Sequence, residues 1–255
     1  MRFPAYFCVP KEVTTPPATG RQQVAENWRQ YWSAHANEFG TAAPAYLRDA
    51  LLEALEPEMG QRILEAGSGT GGLAAGVASR GASLYLIDIV PKALAGALAG
   101  PFKMRGAVAD LFAMPFPEAT FDAVYNSGVL EHFEPHEITQ ALVEMRRVTR
   151  PGGKVVIAVP SASGRFYVWG KRLMERAGTW EYGVEHPQAS LRALSPANLE
   201  CVSERCVGVR WQTRFLGGWR RRLAGALVAP FSETSGLGAR LFGGYLQLST
   251  FRRVP

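Results

Sequence analysis

Cysteine is scarce in this chain and poorly placed for cross-linking. Its three thiols, Cys8, Cys201 and Cys206, form no CxxC pair and join no histidine cluster. A disulfide framework and a structural zinc site are therefore not expected, and a reducing cytoplasm fits. Histidine is also sparse, at positions 35, 132, 136 and 186, and no His/Asp group shows metal-ligand spacing, so no metal is expected. No uninterrupted apolar run approaches the roughly 18 residues that argue for a spanning helix. The opening stretch, MRFPAYFCVPKEVTTPP, is too short and proline-rich for an apolar signal core, so no cleavable signal is expected. There is no internal repeat.

What is present is globular in character. Of 255 residues, 47% are apolar and 20% charged, enough for one large domain or one domain with appendages. The charge is uneven. Residues 201–255 hold nine arginines against Glu204 and Glu233, a net of +7, whereas the whole chain carries +6. The basic excess is thus a local surface in the last fifth of the chain.

Residues 1–20 read as an arm. Apolar residues recur at helical spacing over 24–39, with Gly40 as a stop, and a second helix opens at Pro44 and closes at Pro57. Alternation follows: strand RILEA, a helix over 71–80, strand SLYLID, a helix opening at Pro91, strands GAVAD and FDAVYN, helix HEITQALVEMRRV, an RPGG turn and strand KVVIAV. Continuous apolar strands alternating with helices argue for a parallel, doubly wound sheet covered on both faces. Residues 161–190 are aromatic and irregular. A short helix near 195–201 and closing strands CVGVRWQ and YLQLSTFRRV complete the reading. The expected organisation is an arm and helical lid over 1–57, a binding core over 58–160, and a substrate-cover segment with closing strands over 161–255 of the same domain.

Ligands of open α/β sheets sit at the carboxyl ends of the strands. The stretch ILEAGSGTGG places four glycines within six positions after Glu65. Bare backbone can approach a ligand closely and adopt positive φ. Two patterns fit: Gly67-x-Gly69-x-x-Gly72, the dinucleotide fingerprint, and Glu65-x-Gly67-x-Gly69-x-Gly71, a nucleoside-binding turn. Asp88, 21 residues after Gly67, suits a ribose diol in either case. Asp110 follows the third apolar strand, where an acid can accept from an adenine amino group. Asn126, Ser127 and Gly128 end the fourth.

In order along the chain, the acid–glycine turn, Asp88, the block AD…MPFPEATFDAVYNSGVLEHF and the run RVTRPGGKVVIAVP resemble the class I S-adenosylmethionine (SAM)-dependent methyltransferases, especially those acting on small molecules and lipids. The likeness covers roughly residues 25–160 and favours SAM over NAD. It implies a Rossmann-like, mostly parallel seven-stranded sheet with an antiparallel last strand and an N-terminal helical lid. It implies SAM as cofactor, with S-adenosylhomocysteine as product. Glu65, Gly67, Ser68, Gly69 and Gly71 would cradle the methionyl end, and Asp88 the ribose. Ile89, Asp110 and Leu111 would meet the adenine, Asn126 or Ser127 the methionine part, and Tyr31 would reach in from the lid.

A hydroxyl nucleophile needs a general base, and His132 and His186 are the candidates; His186 lies in the aromatic segment expected to cover the pocket. Phe166, Tyr167, Trp169, Trp180 and Tyr182 there suit an apolar or aromatic acceptor, or else a satellite core. The alternative to an enzyme is a catalytically inactive SAM-fold binding or assembly protein that docks through its basic C-terminal region. Nucleic acid is not expected as a partner, because NSGV stands where amino-methylating enzymes for bases carry an [N/D]PP[F/Y] motif. In 214–231, Leu216, Trp219, Leu223 and Leu227 share a helical face beside Arg220, Arg221 and Arg222. That pattern suits either core or dimer packing, or peripheral membrane contact. A cytoplasmic monomer or homodimer, with a membrane-associated option, is the resulting expectation.

Overall fold

The computed structural model describes residues 20–34, 43–180 and 183–255. The arm before residue 20, the expected continuation of the first helix through His35 to residue 39, and Tyr182 lie outside the described residues.

Seven strands form one sheet. They are β1 (Arg62–Ala66), β2 (Ser83–Asp88), β3 (Arg105–Val108), β4 (Phe121–Ser127), β5 (Thr149–Pro160), β6 (Leu199–Val207) and β7 (Leu246–Arg253). Their spatial order is β3-β2-β1-β4-β5-β7-β6. Strands β3 through β5 pair in parallel, and β7 runs antiparallel between β5 and β6. Ile63, Leu64 and Ala66 of β1 and Val155–Val159 of β5 are fully buried, as strands covered on both faces must be. The chain leaves β3 at one edge and re-enters at β4, beside β1. Strand order therefore reverses between β1 and β4, opening a crevice at their carboxyl ends.

The helices are α1 (Gly20–Ala34), α2 (Ala45–Leu55), α3 (Ala74–Ala78), α4 (Pro91–Leu98), α5 (Pro135–Val148), α6 (Arg165–Arg176), α7 (Gly218–Val228) and α8 (Gly236–Phe242). Helix α5 carries its signals openly. Pro135 stands in its first turn, Glu134 and Glu137 form a capping box, and Ile138, Leu142, Met145 and Val148 are buried on one face. Helix α4 likewise begins at Pro91.

Several sequence expectations need correction. The helix expected over 71–80 contracts to α3, because Gly71 adopts φ +72° in the turn before it. The helix expected near 195–201 is instead a short 3-10 turn over Arg192–Leu194 followed by β6. The sequence hid β6 because it is an edge strand with only its end residues, Leu199 and Val207, buried. CVGVRWQ is accordingly strand only at its start, and a 3-10 turn follows over Trp211–Phe215. Within the segment read as irregular, 165–176 is helical. It packs closely through Gly170, where an added Cβ would meet the Phe215 carbonyl oxygen at 2.4 Å. Its Tyr167 is fully buried, with the Phe215 and Tyr245 rings 4.9 and 5.1 Å away. Four aromatics of this segment thus turn to local packing or the surface: Phe166 stacks on Phe242, Trp180 packs with Tyr167 and Phe215, and Trp169 is exposed.

Helix α7 buries Ala224 and Val228 and leaves Trp219, Leu223 and Leu227 in solvent, at 64%, 55% and 49% exposure. Leu237 and Leu241 of α8 are exposed as well, whereas Leu216 is buried. Among the described residues, no helix is long and apolar enough to cross a membrane.

Candidate functional site

The crevice at the switch point is a pocket of about 940 Å³ including its open mouth. Its floor is the glycine turn after β1. Gly67 and Gly69 have φ +76° and +50°, which L side chains avoid. Space forbids side chains too. A Cβ on Gly67 would meet Val129 at 2.8 Å, and one on Gly69 would meet the Trp32 ring at 2.8 Å. Gly71 serves packing: its added Cβ would meet Ala97 of α4 at 2.9 Å.

Asp88 ends β2 and ties the walls together. Its Oδ2 accepts from the Gly69 N–H and its Oδ1 from the Val90 N–H, both at 2.8 Å. Burial pushes its carboxyl up to about 6, against those backbone hydrogen bonds. Burial likewise raises Glu65 to about 8, and the nearby Asp88 acts in the same sense. Glu65 Oε2, Ser68 Oγ and Ser127 Oγ are buried without a partner. A pocket floor with bare backbone and unpartnered buried oxygens fits the polar end of a ligand. At the other end, Ala109, Leu111 and Phe112 offer an apolar slot, with Asp110 Oδ1 occupied by the Phe112 N–H at 2.9 Å.

The roof is α1. Trp28 and Trp32, one turn apart, stack at 6.3 Å and both line the pocket. Arg21 holds the helix down: its guanidinium lies 3.8 Å above the Phe112 ring and its Nε donates to Glu137 Oε1 at 3.1 Å. The sequence singled out Tyr31 instead, which the structure buries completely behind the two indoles. The i, i+4 spacing of Trp28 and Trp32 was the available signal.

Of the sequence candidates, Glu65, Gly67, Ser68, Gly69, Asp88, Ile89, Asp110, Leu111 and Ser127 come together on this pocket wall. Tyr31, Gly71 and Asn126 stand behind it. Asn126 is fully buried and donates from Nδ2 to the Ala66 carbonyl at 2.5 Å, bracing the β1–β4 junction. His132 lies one ring away, its imidazole edge-to-face with Trp28 at 5.5 Å. Burial lowers its pKa to about 4, against a hydrogen bond to the Val184 carbonyl. His186 is corrected: its ring sits at the surface, Nε2 being 3.6 Å from Glu134 Oε1, and does not line the pocket.

Over part of its length the chain is similar to proteins named methyltransferases. Residues 64–157 match the family described as "Methyltransferase domain". A demethylmenaquinone methyltransferase of Beutenbergia cavernae is 34% identical over 111 residues, covering 44% of this chain and 45% of that protein. A malonyl-[acyl-carrier protein] O-methyltransferase of Halorhodospira halophila is 35% identical over 117 residues, covering 43% and 39%. The chain thus matches less than half the length of these relatives. The structure of geranyl diphosphate C-methyltransferase from Streptomyces coelicolor A3(2) shares the fold at TM-score 0.56 and 16% identity, over 98% of this chain and 91% of that one.

Proposed function

We propose that this chain transfers a methyl group from SAM to a small-molecule or lipid-like acceptor. The observation that carries this reading is the cradle itself: a glycine turn locked to Asp88, orphaned buried oxygens on Glu65, Ser68 and Ser127, and an apolar slot at Leu111. These residues fit SAM. Glu65 would be drawn back to its ionised form by the methionyl ammonium, and Asp88 retains lone pairs for a ribose diol. When bound, SAM supplies an already activated methyl group, so the chain's task is to orient the acceptor and exclude water. Trp28 and Trp32 do the excluding, pinned by Arg21.

An apolar acceptor suits the roof and mouth, which are lined by Val24, Trp28, Val129 and Phe133. The exposed Trp219–Leu223–Leu227 stripe beside three arginines supports peripheral contact of 214–231 with an anionic membrane, where such an acceptor would be met. The test is calorimetric SAM binding, then incubation with radiolabelled SAM and a lipid extract. Label entering organic-phase products supports the reading. SAM binding without any transfer favours the inactive assembly protein, and no SAM binding defeats both.

A further inference from the structure

We propose that Glu131, His132 and Glu185 form a binding site for a divalent first-row cation behind the roof of the pocket. Glu131 and His132 sit on the turn after β4, whereas Glu185 arrives from the cover segment beyond α6. Among the described residues this is the only trio of its kind, with one ligand atom from each within 4.8 Å of the others and all three side chains buried.

Backbone bonds clamp Glu185 into place from both sides. The Val184 carbonyl receives His132 Nδ1 at 2.8 Å, and the His186 N–H donates to the Glu131 carbonyl at 2.7 Å. A carbonyl can only accept, so Nδ1 carries the proton and Nε2 offers its lone pair to the cluster. That is the geometry of a metal-ligating imidazole, oriented by a backbone carbonyl from behind. Tyr167 Oη donates to Glu185 Oε2 at 2.8 Å and orients this carboxylate in the same manner.

Among the described residues, no hydrogen bond closes the centre of the cluster. Both Glu131 oxygens and His132 Nε2 are buried without a partner, and Nε2 stands 4.0 Å from Glu131 Oε1, beyond hydrogen-bond reach. The neighbouring ammonium, Lys171, is paired with Glu175 and lies 4.8 Å from the Trp180 ring. Three convergent ligand groups, two of them with buried atoms that have no hydrogen-bond partner, are what a cation satisfies. Metal–ligand bonds of ~2.1 Å require the trio to contract by less than an ångström. One imidazole with two carboxylates suits Mn²⁺ or Zn²⁺ better than Mg²⁺ or Ca²⁺, which favour all-oxygen sets. Three protein ligands leave positions open. Trp28, which lines the pocket, stands edge-to-face with His132 at 5.5 Å, so an ion here would steady the roof over the SAM site. That role rests on the methyltransferase reading; the ion site does not.

Mn²⁺ separates the outcomes, because it does not favour the chain's thiols. The full chain, freed of metals with a chelator, is titrated with Mn²⁺, and free ion is followed by electron paramagnetic resonance. One ion per chain is expected. Glu131→Gln and Glu185→Gln, near-isosteric in a buried site, abolish binding while keeping the wild-type melting temperature and SAM affinity. Tyr167→Phe weakens binding by roughly tenfold. A chain that binds SAM but leaves Mn²⁺ free refutes the ion site and spares the methyltransferase reading. Binding of Mn²⁺ without SAM does the reverse. Undiminished Mn²⁺ binding in both glutamine variants also overturns the site.

Discussion

The Asp88 carboxylate accepts the Gly69 N–H at 2.8 Å, so the end of β2 and the turn after β1 move as one unit. The same side chain holds the Val90 N–H and is buried. Asp88→Ala removes both the brace and a charged acceptor. SAM affinity is expected to fall by roughly 1.5–3 kcal/mol, the range for hydrogen bonds to a charged group. Asp88→Asn keeps an acceptor oxygen and loses less. Isothermal titration of both variants checks this, and wild-type affinity in Asp88→Ala would remove Asp88 from the cradle.

Gly69 packs directly against the Trp32 ring on the pocket wall. A side chain there meets the indole at 2.8 Å and forces a β-branched residue to φ +50°. Gly69→Val is expected to abolish SAM binding with the far-ultraviolet circular dichroism retained. Gly71→Ala should behave differently, because its clash is with Ala97 of α4: the melting temperature drops more than the affinity does. Reversal of these two phenotypes would exchange the roles assigned to the two glycines.

The buried Glu65 makes the ligand-free protein sensitive to alkali. Its folded pKa of about 8 exceeds the ordinary 4.5, so the folded state holds a proton that the unfolded state has released. Stability from this group is intact below pH 4.5, declines as pH rises towards about 8, and levels above. Melting temperatures at pH 6 and pH 8.5 should therefore differ more in the wild type than in Glu65→Gln. SAM should shrink the wild-type difference by supplying a cation. Parallel curves for wild type and variant would show that Glu65 is not the responsible group.

Arg220, Arg221 and Arg222 flank an apolar stripe that no part of the fold covers among the described residues. Each basic residue near an anionic surface contributes about 1 kcal/mol. Co-sedimentation with anionic vesicles at low salt is expected, along with a blue shift of Trp219 fluorescence and release at high salt. Replacing all three arginines by glutamine should abolish it. A wild-type protein that stays in the supernatant with anionic vesicles would leave α7 as a solvated face or a contact between copies.

Much of the cradle was legible because its signals are local. Pro91, the Glu134–Glu137 capping box and the glycines after β1 act through backbone geometry within a few residues, so they survive without tertiary context. Continuous apolar runs likewise declared the central strands. Edge strand β6 was not legible, because exposure on its outer side leaves no periodicity to read. Nor was the roof. Sequence alone places Trp28, Tyr31 and Trp32 on one helix, but which of them lines the pocket depends on how α1 rolls onto Val90 and Ala93. The glutamate–histidine trio lies further from reach. Glu131 and His132 are adjacent, but Glu185 joins them only through the backbone bonds of Val184 and His186, across more than fifty residues of chain. The spacing of 214–231 announced an amphipathic helix. That its apolar stripe faces water was decided by Ala224 and Val228, the small residues the fold uses to seat α7.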